Sequence, residues 1–150
     1  MKSIIIYYSE TKNTEKVAKV IAEAVAGEIK KVENVRIDEL ADYDLIFIGT
    51  PVHGFRPAKK VGELLDKLPQ LPGKKVAAFC TMHGGGDNKT FRIIKAKIEE
   101  KGATFIDGFS CLGWSRLFAN FGPKSFNKGH PNKDDLTRAT DFAKRVIGNN

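Results

Sequence analysis

Short runs of β-branched and aromatic residues alternate along the chain with segments of helical periodicity. Strand character is found in five runs, residues 3–8, 28–32, 44–49, 75–81 and 104–111. Three of these runs are almost continuously apolar, which is typical of strands that helices cover on both faces of a parallel sheet. The second run is short and carries Lys30 and Lys31, which suits the edge of a sheet.

Four segments repeat apolar residues at the i, i+3, i+4 and i+7 spacing of an amphipathic helix. Their apolar stripes begin at Val17, Val61, Phe91 and Leu136. Gly27 and Gly102 are predicted to end the first and third helices, and Asn132 is predicted to cap the last. Five strands alternating with four helices predict an α/β fold, with a doubly wound parallel sheet and right-handed crossovers.

Length and composition limit the class of protein. The chain has 150 residues, 41% hydrophobic and 29% charged, with no repeat or linker-like stretch, so we expect residues 1–150 to form one domain. Its apolar runs are far shorter than the ~20 residues of a membrane span. No signal-peptide pattern is present, so we expect a cytoplasmic protein without membrane insertion.

The cysteines and histidines do not predict a metal centre or a disulfide framework. Cys80 and Cys111 are expected to be small buried residues rather than a redox pair. His53, His83 and His130 share no metal-ligand spacing, and His130 is expected to lie where the last helix begins.

Ligands of doubly wound sheets bind beyond the carboxyl ends of the strands, and three loops in those places are unusual in composition. The first loop places Ser9, Thr11 and Asn13 before a helix, where free N–H groups favour an anion; simple helix capping is the alternative. The other two, residues 49–57 and 81–88, are rich in small residues that let a planar ligand approach the backbone. For these two loops a tight turn is the alternative.

The ordered set of three loops resembles the flavodoxin family over nearly the whole chain. Residues 9–14 match the phosphate-binding motif of the family, except that Lys12 stands where the family has glycine. Residues 50–55 and 81–88 match the two loops that enclose the isoalloxazine ring. The resemblance implies a flavodoxin-like five-stranded sheet in the order 2-1-3-4-5 with helices on both faces, and FMN as the cofactor.

The same resemblance implies which residues contact FMN. They are Ser9, Thr11, Lys12, Asn13, Thr14, Thr50, Pro51, Val52, His53, Gly54, Phe55, Thr81, Met82, His83, Gly84, Gly85 and Asp87. Gly54 is predicted to let a peptide reorient when the flavin is reduced, because glycine tolerates positive φ; a structural turn is the alternative. The third loop lacks the aromatic residue that usually stacks on the ring. Trp114 or one of the phenylalanines after it, Phe118, Phe121 and Phe126, could supply it; packing of these residues in the core is the alternative.

The net charge of +7 differs from that of typical flavodoxins, which are acidic. Residues 113–133 include four basic and no acidic side chains. We expect the segment 113–131 to pack beside the flavin, with Arg116, Lys124 and Lys128 facing an acidic redox partner. A solvated basic surface without a partner is the alternative.

The leading functional prediction is an FMN-binding carrier that transfers electrons between redox proteins. The second is a small FMN-dependent reductase that uses a nicotinamide donor and quinone-type acceptors. Nucleic-acid binding is not expected, since only the charge favours it and no compact basic and aromatic motif is present. A tyrosine phosphatase is excluded because Gly86 stands where its loop requires arginine, six residues after Cys80. A response-regulator receiver is excluded because Ser9 and Thr50 replace its acidic residues.

Overall fold

The fold alternates strands and helices, and a computed structural model describes residues 1–115 and 127–148 of it. The strands are β1 (Ser3–Tyr7), β2 (Glu28–Lys31), β3 (Leu45–His53), β4 (Arg56–Pro57), β5 (Lys75–Met82) and β6 (Thr104–Leu112). The α-helices are α1 (Asn13–Val25), α2 (Lys59–Lys67), α3 (Asp87–Glu100) and α4 (Lys133–Gly148). Two short 3-10 helices, Val32–Asn34 and Ile37–Asp42, connect β2 to β3.

Five strands run parallel in the order β2-β1-β3-β5-β6. With the two-residue β4 set aside, this is the predicted order 2-1-3-4-5, so the predicted fold class is confirmed. The short strand β2 lies at the edge of the sheet and is largely exposed, as its two lysines indicated.

Two apolar layers enclose the sheet, one on each face. Ile4 and Ile6 of β1 pack with α2 and α3, whereas Ile5 between them packs with α1 and α4. Successive side chains of a strand point to opposite faces, and this explains why the central strands are continuously apolar. On the α1–α4 face, Phe142 stacks on Phe109 with ring centroids 5.6 Å apart.

The ends of the helices follow the sequence prediction with one exception. The left-handed residue that ends α1 is Ala26, with φ 49°, rather than Gly27. Gly27 has a packing role instead, since a Cβ there would lie 2.6 Å from Cδ1 of Ile5. Gly102, with φ 81°, ends α3 as predicted, and its N–H donates to the carbonyl of Glu99 at 3.0 Å.

Asn132 caps α4, which confirms the prediction. Its Oδ1 accepts a 2.9 Å hydrogen bond from the N–H of Asp135, and the Asp135 carboxylate accepts one of 2.8 Å from the N–H of Asn132. These reciprocal bonds form a capping box, which satisfies two N–H groups at the start of the helix.

The prediction of a loop after the third strand is wrong for the first half of that loop, which belongs to the strand. The strand β3 continues to His53 and turns through Gly54 and Phe55 into β4, so that His53 pairs with Arg56. Both turn residues have positive φ, 55° and 65°, as in the type I′ turn that favours tight hairpins. The usual Asn-Gly signal of that turn is absent from the sequence, so this hairpin was not predicted.

Both cysteines are buried and free, as expected. Burial raises the pKa of both thiols, and that of Cys111 to about 12. Within residues 1–115 and 127–148, no helix combines the length and apolar character that crossing a bilayer requires. The same residues contain no cluster of three or more histidine, cysteine or acidic side chains that could hold a metal ion.

Candidate functional site

A cavity of ≈ 290 Å³ lies at the carboxyl ends of the parallel strands, where doubly wound sheets bind their ligands. Its lining residues come from all three predicted loops and from the end of β6. They are Glu10, Thr11, Asn13, Thr14, Pro51, Val52, His53, Thr81, Met82, His83, Gly113, Trp114 and Ser115. The structure therefore brings the three loops together around one space.

The first loop combines a helix N-terminus with an exposed cation. The Oγ of Ser9 accepts a 3.3 Å hydrogen bond from the N–H of Glu15, so this side chain caps α1 rather than lining the cavity. Lys12 is exposed and has φ 67°, a conformation that costs a residue other than glycine about 1–2 kcal/mol. Glycine would adopt this conformation without that cost, which explains why it suits the position.

Two buried side chains of the first loop join it to the neighbouring strands. The hydroxyls of Thr14 and Thr81 share a 2.9 Å hydrogen bond, and both residues are buried. The Nδ2 of Asn13 donates to the carbonyl of Trp114 at 2.6 Å. Gly113 makes this approach possible, because a Cβ there would lie 2.8 Å from that nitrogen.

Behind Trp114, a second layer of hydrogen bonds leads to α4. The N–H of Trp114 donates to the carbonyl of His130 at 3.0 Å, and Nδ1 of His130 lies 2.6 Å from the carboxylate of Asp135. Arg138 donates to the other oxygen of that carboxylate at 2.7 Å. Burial alone would raise the pKa of Asp135, but the hydrogen bonds from Asn132, His130 and Arg138 outweigh it and lower the pKa below the ordinary value.

In the second loop, only part of the predicted set lines the cavity. Pro51, Val52 and His53 do so, whereas Thr50 is fully buried and its Oγ1 accepts a 2.9 Å hydrogen bond from the N–H of Ala58. Thr50 thus holds the base of the hairpin.

The tip of this hairpin lies outside the cavity lining. Gly54 and Phe55 form the turn there, and the side chain of Phe55 is 60% exposed. Beside the hairpin, Nε2 of His53 lies 3.7 Å from a carboxylate oxygen of Glu10, to which Tyr8 also donates.

In the third loop, Thr81, Met82 and His83 line the cavity, and the other predicted residues do not. Gly84 and Gly85 lie beyond the lining, and Asp87 accepts a 2.7 Å hydrogen bond from the hydroxyl of Ser110. Gly86 was not predicted as a site residue, yet it is the tightest position of the loop, since a Cβ there would lie 2.9 Å from both Phe55 and Val52.

The segment 113–131 reaches the site at both of its described ends. Trp114 lines the cavity, and Nδ2 of Asn127 donates to the carbonyl of His83 at 2.7 Å. Lys128 is exposed. Two residues predicted to face an acidic partner, Arg116 and Lys124, lie outside the described residues, as do the phenylalanines at 118, 121 and 126 that were candidates for stacking on the ring.

Sequence analysis did not assign Glu10, Gly113 and Ser115 to the site. Glu10 lies within the first loop between two predicted residues, so its place in the chain was a usable signal. Gly113 and Ser115 continue β6 past its carboxyl end, and the parallel register of β5 and β6 brings them beside Met82. Only the pairing of these strands reveals that proximity.

Comparisons with known proteins agree with this geometry. The family model of the flavodoxin domain matches residues 4–116. A flavodoxin of Megasphaera elsdenii is 36% identical over 110 residues, which cover 68% of this chain and 80% of that protein. An uncharacterised protein of Methanocaldococcus jannaschii is 34% identical over 153 residues, covering 99% of this chain and 100% of that one.

A quinone-linked enzyme and an archaeal structure are also similar. An NAD(P)H dehydrogenase (quinone) of Caulobacter vibrioides is 30% identical over 127 residues, which cover 62% of this chain and 64% of the enzyme. A solved flavodoxin structure from the domain Archaea has a TM-score of 0.76 at 21% identity, with 98% of this chain and 99% of that chain covered.

Proposed function

The chain belongs to the flavodoxin family, its cofactor is FMN, and we propose that it carries electrons between redox proteins. The observation that supports this function most is the convergence of three loops on one cavity at the carboxyl ends of the strands. When bound, FMN supplies the redox chemistry, and the protein supplies binding, orientation and local electrostatics.

The N-terminus of α1 fits the phosphate group of FMN. The first N–H groups of a helix have no intrahelical partner, and the positive end of the helix dipole favours an anion. Thr11 lines the cavity there, and the cation of Lys12 is next to it in the loop. We propose that these groups bind the phosphate, while Asn13 and Thr14 fix the loop through their buried hydrogen bonds.

The remainder of the lining fits a planar aromatic ring. Val52, Met82 and Trp114 offer apolar surface, and His53 and His83 offer ring nitrogens at the two sides of the cavity. The third loop has no aromatic residue to stack on the ring. We propose that Trp114 packs on the ring in its place. The histidines would then position and hydrogen-bond the polar edge of the flavin.

A quinone reductase is the second candidate function. It is favoured by the similarity to NAD(P)H dehydrogenase (quinone), of which this chain covers 64%, against 80% for the flavodoxin of Megasphaera elsdenii. The greater coverage of a flavodoxin supports the carrier. The net charge of +7 further supports protein partners with an acidic docking surface.

Stepwise anaerobic reduction of the FMN-loaded protein tests the carrier against the reductase. For a carrier, we expect a yellow protein, accumulation of the one-electron-reduced flavin during titration, and no turnover of NADH or NADPH with quinones. Rapid two-electron reduction by a nicotinamide with quinone turnover would establish the reductase instead. A colourless protein that binds no added FMN would contradict both functions.

A separate experiment tests the phosphate end. Thr14 is bonded to Thr81 within the protein, so Thr11→Val is the cleaner change. Loss of a hydrogen bond to a charged group costs about 1.5–3 kcal/mol, and we expect FMN affinity to fall roughly 10- to 100-fold while riboflavin affinity stays constant. Thr104→Val, at an exposed position of β6, is the control. Equal losses for both ligands would make Thr11 a structural residue.

A further inference from the structure

Phe55 is a strained and exposed aromatic residue at the tip of the hairpin. Its φ of 65° lies in the left-handed region, and its side chain is 60% exposed. Bulky residues avoid this conformation, and the second position of such a turn favours glycine. A costly conformation that presents an apolar ring to solvent is a reason to look for a function at this point.

The neighbouring loop is shaped to seat this ring. A Cβ on Gly86 would lie 2.9 Å from Cδ1 of Phe55 and 3.0 Å from its Cα. One edge of the aromatic ring therefore rests on the bare backbone of Gly86, and the rest faces outward. Phe55 is supported as a fixed protrusion and does not hang free from the turn.

Four basic side chains without an internal partner lie on the elements next to the protrusion. Arg56 follows Phe55 directly, and β4 packs against α3, whose first turns carry Lys89 and Arg92 on one face. Lys59 begins α2. All four side chains are exposed, and within residues 1–115 and 127–148 none of them forms an ion pair or a hydrogen bond.

The acidic side chains near these four basic residues are fewer: Glu63, one turn after Lys59 in α2, is exposed, and two others are engaged. The carboxylate of Asp87 accepts a hydrogen bond from Ser110, and that of Glu10 lies beside His53 and Tyr8. Other lysines of the same face are neutralised, for example Lys60 by Glu33 at 3.2 Å. The positive charge around Phe55 is thus a local excess.

We propose that Phe55, Arg56, Lys59, Lys89 and Arg92 form a docking surface, called here the hairpin surface, for an acidic redox protein with an apolar pocket. The inference rests on the proposed function and names its partner by chemistry. A central aromatic anchor with a charged surround is the usual arrangement of an energetic centre in an interface. The surface also adjoins the cofactor cavity, since Val52 and His53 line that cavity immediately before the turn.

Binding of an oxidised acidic [2Fe–2S] ferredoxin, measured by calorimetry on the FMN-loaded protein, tests the hairpin surface. Arg56→Glu combined with Lys89→Glu should weaken binding about tenfold at low ionic strength and flatten its salt dependence. The matched control is Lys67→Glu with Lys144→Glu, which changes the net charge equally. Both positions are exposed and lie near the ends of α2 and α4, away from the carboxyl ends of the strands where the cavity lies. This control should stay within about twofold of the unmodified protein.

The apolar anchor has its own pair of variants. Phe55→Ser should weaken binding even at about 0.15 M salt, where steering between charges is screened, and leave the salt dependence unchanged. Ile29→Ser removes another exposed apolar side chain, on the edge strand β2, and should have no effect.

The outcomes separate the surface from the proposed function. Equal weakening by the two charge-reversed pairs, or unchanged binding in Arg56→Glu with Lys89→Glu, would overturn the hairpin surface while the flavin titration still supports a carrier. Each variant is also titrated with FMN, and an unchanged FMN affinity shows that a loss of ferredoxin binding arises from docking. A protein that fails to bind FMN would refute the carrier, and its salt-dependent affinity for ferredoxin would still test the surface.

Discussion

The two sides of the cavity are built differently. The α1–α4 side, called here the clamped side, is joined by buried hydrogen bonds from Thr14 to Thr81, from Asn13 to Trp114 and from Trp114 to His130. The hairpin side is anchored by Thr50 at its base and by packing of Phe55 on Gly86 at its tip. The clamped side is thus held by directional hydrogen bonds, whereas the tip of the hairpin is held by packing.

Two exposed residues at the cavity have positive φ although they are not glycine, Lys12 at 67° on the clamped side and Phe55 at 65° on the hairpin side. On the clamped side, the strained residue adds a cation at the N-terminus of α1, which we propose binds the phosphate of FMN. On the hairpin side, it presents an apolar ring to solvent. In the two proposals above, the strained residue therefore contacts a ligand on one side and a partner on the other. The predicted reorientation at Gly54 belongs to the hairpin side.

The largest expected effect is that of Gly86→Ala, which fills the space in which Phe55 packs on the backbone of Gly86. The new Cβ would clash with Phe55 and Val52 at a φ of 90°, and we expect a loss of about 2–4 kcal/mol in the free energy of unfolding. Urea denaturation measures it. Gly84→Ala is the control, because nothing lies within 4 Å of its Cβ position, and equal losses in both variants would show that the hairpin is not seated on Gly86.

Next in size is Asn13→Ala on the clamped side. It removes the 2.6 Å hydrogen bond that the buried Asn13 donates to the carbonyl of Trp114, and loss of a hydrogen bond made by a buried side chain costs about 1–3 kcal/mol. We expect that loss in urea denaturation, together with weaker binding of both FMN and riboflavin. Asn88→Ala, exposed near the start of α3, should be neutral. A neutral Asn13→Ala would show that this hydrogen bond does not hold the clamped side together.

A pH titration tests the contribution of Asp135, behind Trp114, to the stability of the clamped side. The pKa of Asp135 is lowered in the fold, so its ionised form stabilises the protein above the unfolded pKa, and this stabilisation is lost as the pH falls through the folded pKa. Asp135→Asn should cost about 1–2 kcal/mol at pH 7, and its difference from the unmodified protein should shrink below about pH 4. Asp141→Asn, an exposed position of α4, should show no such trend; a constant difference for Asp135→Asn would contradict the linkage.

The smallest effect is a gain. Phe55→Gly relieves the left-handed strain, and we expect the free energy of unfolding to rise by about 0.5–1 kcal/mol. Phe55→Ala keeps the strain and should give no gain. Lys12→Gly should stabilise the protein similarly but weaken FMN binding, whereas Phe55→Gly should leave FMN affinity unchanged. A loss of FMN affinity in Phe55→Gly would place that side chain on the cofactor instead of on a partner.

Most of the fold was predictable because its signals are local. The apolar runs of β1, β3 and β5 are covered on both faces, and the cap at Asn132 depends on residues only three positions apart. The end of α1 was less predictable, since Ala26 adopts a conformation that is usual for glycine. Gly27 is required for another reason, because a Cβ there would clash with Ile5 of the neighbouring strand. That contact depends on tertiary packing.

The site was predictable in place more than in detail. Loop composition located the cavity, because carboxyl ends of parallel strands meet at one edge. The division between lining and supporting residues was not predictable, as Thr50 and Ser9 show by bonding to Ala58 and Glu15. A hydroxyl can bind a ligand or the backbone equally well, and only the folded geometry decides which.

The burial of Cys80 and Cys111 has a consequence for handling and lifetime. The thiolate is the form of cysteine that attacks disulfides, peroxides and alkylating reagents, and burial raises the pKa of both thiols far above neutrality. With both sulfurs protonated and enclosed, the folded chain offers such reagents no thiolate, so we expect that it can be stored in air without added reductant.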